Sequence, residues 1–271
     1  MPPDNSPKTS RVHIASPGAD IVRVVSPLSH FGCERLHLIL QRRNVQLYED
    51  VANEVERRAK AWHADIDVRR LHLDLFDGPS LLNAVSRLIV QEQDAGSEIF
   101  VNVATGSNLY TASAMLACLM YGGTPYHSQT LGYWSEESVL RDRSGRPRGI
   151  SKAAAPPEVV PIYGVKPPEP RLVFALELIE RAGGRTKALR LAGPLDTADL
   201  LATDAERGGA RGAHRESDRR LKLVNRRFLD ELAGRTWIAR EGRRGGATVA
   251  LTEDGRRVLE SFRGIRYRDR W

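Results

Sequence analysis

The chain predicts an α/β fold in two domains, a parallel-sheet domain followed by a small helical domain with a β-hairpin, and three observations carry that reading. Short apolar runs alternate with helical patterns from Val12 to Gln129. Within that span, Ile99–Gln129 reads as strand, small polar loop and helix: IFVNV, then Ala104-Thr-Gly-Ser-Asn108, then Leu109–Met120 with a Gly122-Gly123 stop. After the proline-rich Lys166-Pro-Pro-Glu-Pro170 the pattern changes and basic charge accumulates. At 271 residues the chain is long enough to bury two cores. The expected domains are 11–165 and 171–265.

In the first domain, strands are read at Val12–Ala15, Leu36–Leu40, Ile66–Leu73 and Ile99–Val103. Ile21, Val24, Val25 and Leu28 repeat at helical spacing, and Pro27 is expected to bend or end that helix. Val51, Val55 and Trp62 mark a second helix, with Glu49 and Asp50 near its positive end. Asp77-Gly-Pro-Ser80 opens a third, with Pro79 in its first turn and Leu82, Val85 and Ile89 on one face. Alternating strands and helices build right-handed βαβ units, hence a Rossmann-like parallel sheet.

Leu131–Val165 is rich in Gly, Pro and charge, includes Ser144-Gly-Arg-Pro-Arg-Gly149, and reads as a surface loop or hairpin before a stiff linker. In the second domain Leu172, Ala175, Leu176 and Ile179 make an amphipathic helix stopped at Gly183-Gly184. Thr186–Ala192 is read as a short second helix, and 193–213 has no clear pattern. Glu216–Ala233 is a strong helix, with Leu221, Val224, Phe228 and Leu232 on one face, Arg219, Lys222 and Arg226 opposite, and Gly234 as its stop. Thr236–Arg240 and Ala247–Leu251 flank the turn Glu241-Gly-Arg-Arg-Gly-Gly246. Thr252 caps a last helix with Val258, Leu259 and Phe262 inward.

Composition narrows the function. An apolar content of 41% is that of a globular protein. The N-terminal MPPDNSPKTSR lacks the apolar core of a signal peptide, and the longest apolar run, Ala112–Tyr121, is too short for a bilayer. Two distant cysteines, Cys33 and Cys118, suit a reduced, cytoplasmic protein. The histidines have no metal-ligand spacing, and there is no GxGxxG, Walker loop, GxSxG or paired-cysteine motif, so neither metal nor cofactor is expected. Residues 171–271 hold 23 Lys+Arg and 15 Asp+Glu, leaving 18 and 19 of the totals of 41 and 34 to residues 1–170. A net of +8 beside a net of −1 says that the second half meets a polyanion.

Three helices, a hairpin with an arginine-bearing tip and a closing helix describe a C-terminal winged helix-turn-helix, which places one helix in the major groove of double-stranded DNA. Arg219, Lys222, Arg226, Arg243 and Arg244 are the candidate DNA contacts, suited to phosphates. Asn225 suits adenine, although its angular position between the basic and apolar faces equally suits a structural role. The alternative use of such a domain is protein interaction.

The Thr105-Gly-Ser-Asn108 corner aims backbone N–H groups and a helix dipole at an anion. It also fits a plain tight turn capped by Thr105 or Ser107. Ser16-Pro-Gly18 and Gln41-Arg-Arg-Asn44 should reach the same sheet edge, and together these loops suit an anionic ligand.

Val101-Asn-Val-Ala-Thr-Gly-Ser-Asn108 resembles the fourth-strand signature of CRISPR-associated Rossmann-fold (CARF) domains, and Val12–Val25 resembles their first motif. Trp237–Phe262, with Leu-Thr-Glu-Asp-Gly-Arg-Arg at 251–257, resembles the wing and following helix of bacterial and archaeal winged-helix regulators. Over about residues 11–263 the chain is similar in architecture to CARF/winged-helix transcriptional regulators. The resemblance implies a homodimer, a cyclic oligoadenylate effector acting as a nucleotide second messenger, and promoter DNA as partner. It implies that Ser16, Gly18, Thr105, Gly106, Ser107 and Asn108 contact the ligand. Ala104 and Asn108 stand where family members often have a second glycine or a lysine. A ring-nuclease version would use Thr105, Ser107 and a base such as Arg42 to cleave the ligand. Binding alone is the reading preferred here, because no residue pair demands catalysis. A sensor of another metabolite is the remaining alternative.

Overall fold

Parallel strands covered by helices on both faces must be apolar on both sides, and Arg35–Gln41 is buried from Leu36 onward. The computed structural model describes residues 9–43, 45–134, 142, 145–201, 213–242 and 247–265. They form two compact units that divide between Pro167 and Pro168.

The first unit runs β1 (Arg11–Ala15), α1 (Val22–Phe31), β2 (Arg35–Gln41), α2 (Val45–Trp62), β3 (Asp67–Leu73), α3 (Gly78–Asp94), β4 (Glu98–Asn102), α4 (Asn108–Tyr121), β5 (Thr124–His127) and β6 (Glu158–Val159). The sheet order is β3-β2-β1-β4-β5-β6. The first five strands are parallel, and β6 pairs antiparallel with β5. The parallel sheet expected from the strand–helix alternation is therefore present. On one face Leu36, Leu38 and Leu40 join Val24 and Leu28 of α1 and Val51, Val55 and Ala59 of α2 in one apolar cluster. On the other, His37 bonds Glu92 of α3 at 2.8 Å, and the β3–α3 loop is held by Gln41 through the Leu75 N–H at 3.2 Å.

Three local expectations are corrected. Pro27 does not end α1, which continues to Phe31. A proline inside a helix strands the carbonyl four residues earlier, and the Asn102 amide fills the acceptor so exposed, Arg23 O, at 2.9 Å. α2 starts at Val45, so Glu49 and Asp50 fall in its second turn, where Glu49 pairs with Arg70 and His72 of β3. Trp62 ends that helix 45% exposed, facing out where the pattern expected it inward.

After β5 the bridges Thr130↔Ala154 and Tyr133↔Ser151 make a hairpin. It is fastened to the β1–α1 loop: Ile150 N–H donates to Ala19 O at 3.0 Å, and the Ser151 hydroxyl to the buried Asp20 carboxylate at 2.6 Å.

The second unit runs α5 (Pro170–Arg181), β7 (Arg185–Lys187), a 3₁₀ turn (Ala188–Leu191), α6 (Ala192–Thr197), α7 (Ala213–Val224), a π turn (Asn225–Leu229), α8 (Asp230–Gly234), β8 (Ile238–Glu241), β9 (Thr248–Leu251) and α9 (Glu253–Phe262). Its sheet, β7-β9-β8, is antiparallel. Thr186 thus belongs to a strand and not to the helix expected at Thr186–Ala192. Its side chain is buried in the sheet while its neighbours Arg185 and Lys187 point out. Leu172, Ala175, Leu176, Ile179, Val224, Phe228 and Leu232 are fully buried together with Val249. The Thr252 hydroxyl accepts from Gly255 N–H at 3.0 Å, as the cap reading expects. The N-terminal 1–8, Asn44, Glu136, Glu137, 202–212, Arg243 and Arg244 lie outside the described residues. Among the described residues, no helix is long and apolar enough to cross a membrane.

Candidate functional site

β1 and β4 are adjacent and parallel, with Ile14 opposite Val101, so their following loops leave the same sheet edge side by side. The chain builds outward from here in both directions, through β2 to β3 and through β5 to β6. This is the topological switch point at which open α/β sheets form a ligand crevice.

The two loops touch through glycines. Gly18 has φ +53° and Gly106 φ +88°, backbone conformations that side-chain-bearing residues rarely adopt. A β-carbon on Gly18 would lie 3.5 Å from Gly106 Cα, and one on Gly106 would lie 2.8 Å from Ser16 Cβ and 2.9 Å from Ser16 Oγ. Ser16 is fully buried behind Gly106, and its hydroxyl has no hydrogen-bond partner among the described residues. An orphaned buried hydroxyl costs about 1–3 kcal/mol, and the buried Tyr110 hydroxyl nearby is unpartnered in the same way.

The other hydroxyls hold the loop together. Ser107 is the N-cap of α4: its Oγ accepts from Tyr110 N–H at 3.0 Å and donates to Leu75 O at 3.1 Å. The buried Thr105 hydroxyl donates to Asn102 Oδ1 at 3.4 Å. Gly106 and Asn108 are exposed at the start of α4. Apart from the capped Tyr110, the first-turn N–H groups of a helix have no intrahelical acceptor. α1 begins at the same corner, where the Asp20 carboxylate accepts from Arg23 N–H at 3.4 Å. Two helix N-termini therefore lie at one sheet edge. Arg42 is exposed at the end of β2, one strand over from β1, and Arg43 pairs with Asp74 at 3.4 Å.

Four titratable side chains buried beneath the corner, His13, Tyr110, Cys118 and Tyr126, are neutral at neutral pH. Burial lowers the His13 pKa to about 4. A carbonyl can only accept, so His13 Nε2 donates to Gly32 O at 2.9 Å, and Nδ1 accepts from the Tyr126 hydroxyl at 3.2 Å. Burial raises the Tyr110 and Tyr126 phenols and pushes the Cys118 thiol up to about 12. The charged groups at the start of α1 are the buried Asp20 carboxylate and the Arg23 guanidinium, which pair at 3.5 Å and offset one another.

Asn102 is the residue that sequence reasoning missed. It is fully buried at the end of β4 and bonds α1 at Arg23 O and the β4–α4 loop at Ala104 N–H. An amide ending an otherwise apolar strand, IFVN, was the available signal, because a buried amide requires specific partners.

In the second unit Lys222 and Arg226 are exposed and Arg219 is half-buried, on α7 and the π turn. Asn225 Nδ2 donates to Leu221 O at 3.0 Å, so its amide serves the helix in this conformation. Arg240 pairs with Asp230 at 2.9 Å and Arg171 with Glu231 at 3.0 Å, which takes those two arginines out of the uncompensated basic surface.

Residues 11–133 match a family model described as HFX_2341_N:-like, N-terminal. No curated protein matches the chain. Among solved structures, it is similar to protein VC1899 from Vibrio cholerae at 18% identity and TM-score 0.35, covering 93% of this chain and 64% of that one. It is similar to Enterococcus italicus Csm6 bound to cyclic hexa-2'-fluoro-hexa-dAMP at 12% identity and TM-score 0.41, covering 84% and 56%. It is also similar to Can2 from Sulfobacillus thermosulfidooxidans in complex with cyclic tetra-adenylate at 10% and 0.34, covering 93% and 61%. The chain thus spans between 56% and 64% of the length of these three structures.

Proposed function

We propose that the chain is a ligand-responsive, DNA-binding transcriptional regulator that works as a homodimer. Residues 11–165 sense an anionic nucleotide second messenger, with cyclic oligoadenylate the member that the loop resemblance implies, and residues 171–265 bind double-stranded DNA. One observation carries the sensing half: the unpartnered Ser16 hydroxyl behind Gly106, at a switch point where the N-termini of α1 and α4 lie at one sheet edge. Ser16, Gly18, Thr105, Gly106, Ser107 and Asn108 line or build that corner.

The order helix, strand, helix, helix, two-stranded hairpin, with β7 completing the sheet, supports the winged-helix reading of the second unit. Exposed Lys222 and Arg226 support phosphate contact. Leu109 and Leu116 stay 38% and 42% exposed on α4, a helix apolar on its outer side as well. A helix apolar all round is normally covered, and a second copy of this chain is the proposed cover. Ligand at the start of α4 then resets the dimer, provided its affinity differs between the two arrangements.

Titration of full-length protein with cyclic tetra-adenylate, read by thermal shift, tests the sensor, since a true ligand raises Tm by mass action. Mobility shift on the gene's own upstream DNA at low salt tests the regulator. No shift of Tm overturns the first half, and no retained DNA overturns the second. The Thr105 and Ser107 hydroxyls are occupied with Asn102 and Leu75, which favours binding over cleavage. Linear products from labelled ligand without added metal would overturn that preference in favour of a ring nuclease.

A further inference from the structure

Asn102 spends its hydrogen-bonding capacity on the two walls of the corner. Its Nδ2 donates to Arg23 O at 2.9 Å. Its Oδ1 accepts from Ala104 N–H at 2.8 Å and from the Thr105 hydroxyl at 3.4 Å. Arg23 O needs this partner because the residue four positions later is Pro27, which has no N–H to give. In an ordinary helix that carbonyl would be filled from within. Here the proline opens an acceptor on α1, and a side chain from β4 fills it. The Tyr126 hydroxyl bonds His13, which bonds Gly32 O just past the end of α1.

We infer that Asn102 is the positioning residue of the candidate ligand loop: paired with the proline notch in α1, it fixes the 104–107 turn relative to the start of that helix. A ligand spanning Gly18 and Gly106 would meet two walls already set in register, and its affinity would depend on an amide that never touches it. For its ligand the inference rests on the nucleotide-sensing reading; its geometry stands without it.

The experiment uses the full chain and places Asn102→Ala in two backgrounds, native Pro27 and Pro27→Ala. Three quantities are read: hydrogen exchange at the Ala104 amide without ligand, the thermal midpoint, and the Kd for cyclic tetra-adenylate. Asn102→Ala should speed Ala104 exchange and weaken Kd, each by about tenfold or more, because the half-buried Ala104 N–H loses its acceptor. Pro27→Ala restores an N–H to Arg23 O. It should recover part of the midpoint lost in Asn102→Ala while recovering neither exchange protection nor affinity. Should Asn102→Ala not fold, Asn102→Asp keeps the acceptor but sets an oxygen against Arg23 O. It should preserve Ala104 protection and loosen α1. Unchanged Ala104 exchange in the alanine variant, or affinity that recovers in step with the midpoint, overturns the inference. If the native chain binds no cyclic tetra-adenylate while the exchange pattern holds, the nucleotide reading falls and the Asn102 clamp stands.

Discussion

Gly106 lies so close to Ser16 that a β-carbon on the glycine would sit 2.8 Å from the serine Cβ, with Tyr110 Cδ1 a further 2.9 Å contact. Both neighbours are buried and neither is the free end of a long side chain. Gly106→Ala must therefore move the turn as well as strain φ, and should cost about 2–4 kcal/mol. Gly18→Ala meets only ordinary contact, at 3.5 Å from Gly106 Cα. It should cost about 1 kcal/mol, for its left-handed backbone alone. Urea denaturation with equal m-values would show the ranking, and equal costs would mean that the corner relaxes freely.

A second pair of glycines tests the packing of the other unit. A β-carbon on Gly255 would fall 2.0 Å from Trp237 O, whereas one on Gly234 would meet nothing within 4 Å. Backbone cannot retreat as a side-chain tip can. Gly255→Ala should separate α9 from the hairpin at a cost of about 3 kcal/mol or more, despite alanine's better helix propensity. Gly234→Ala should be neutral or stabilising by up to about 1 kcal/mol. Both are read from the thermal unfolding of the full chain.

Stability should fall with pH well before the carboxylates protonate. His13 has its pKa lowered by burial from 6.5 to about 4, and burial lowers His37 as well. For a depressed histidine the unfolded chain binds the proton more tightly. The stability is thus fully present above the unfolded pKa and is lost as pH falls through 6.5 towards 4. The His13 share is on the order of 3 kcal/mol. The carboxylates held low by arginines, such as Glu54 and Asp67, lose their contribution only at lower pH. Denaturation free energies at pH 7, 6 and 5 should therefore decline, and His13→Gln should flatten that slope while His37 leaves a remainder. An identical slope in the variant would mean that His13 is not the group titrating.

Local chemistry was legible and distant partnership was not. Asp77, Ser107 and Thr252 declare themselves as caps because each needs only the N–H a few residues on. The alternation of strands and helices, and the loops at 16–18 and 104–108, follow from pattern alone. The continuation of α1 through Pro27 was not legible, since it depends on Asn102, which is remote in sequence. β7 was missed because three residues with one buried side chain carry no period, and its pairing with β9 is long-range. The burial of Ser16 is likewise a property of two loops together: only Gly106, lacking a side chain, leaves room for it. Asn225 read as either base-reading or structural, and its bond to Leu221 O depends on the π turn that begins there.

The DNA reading makes a prediction in which salt, not affinity, is the discriminating variable. Lys222 is exposed on α7, while Arg240 and Arg171 on neighbouring elements are already engaged by Asp230 and Glu231. If Lys222 neutralises one phosphate, Lys222→Ala should lower affinity for all DNA sequences alike and flatten the slope of log K against log salt by about 0.9. Arg240→Ala should leave that slope unchanged, because the pair with Asp230 releases no phosphate counterion. Binding isotherms for both variants at several salt concentrations, on specific and random duplexes, separate the two effects. A slope equally insensitive to both substitutions would remove this helix face from the nucleic-acid interface.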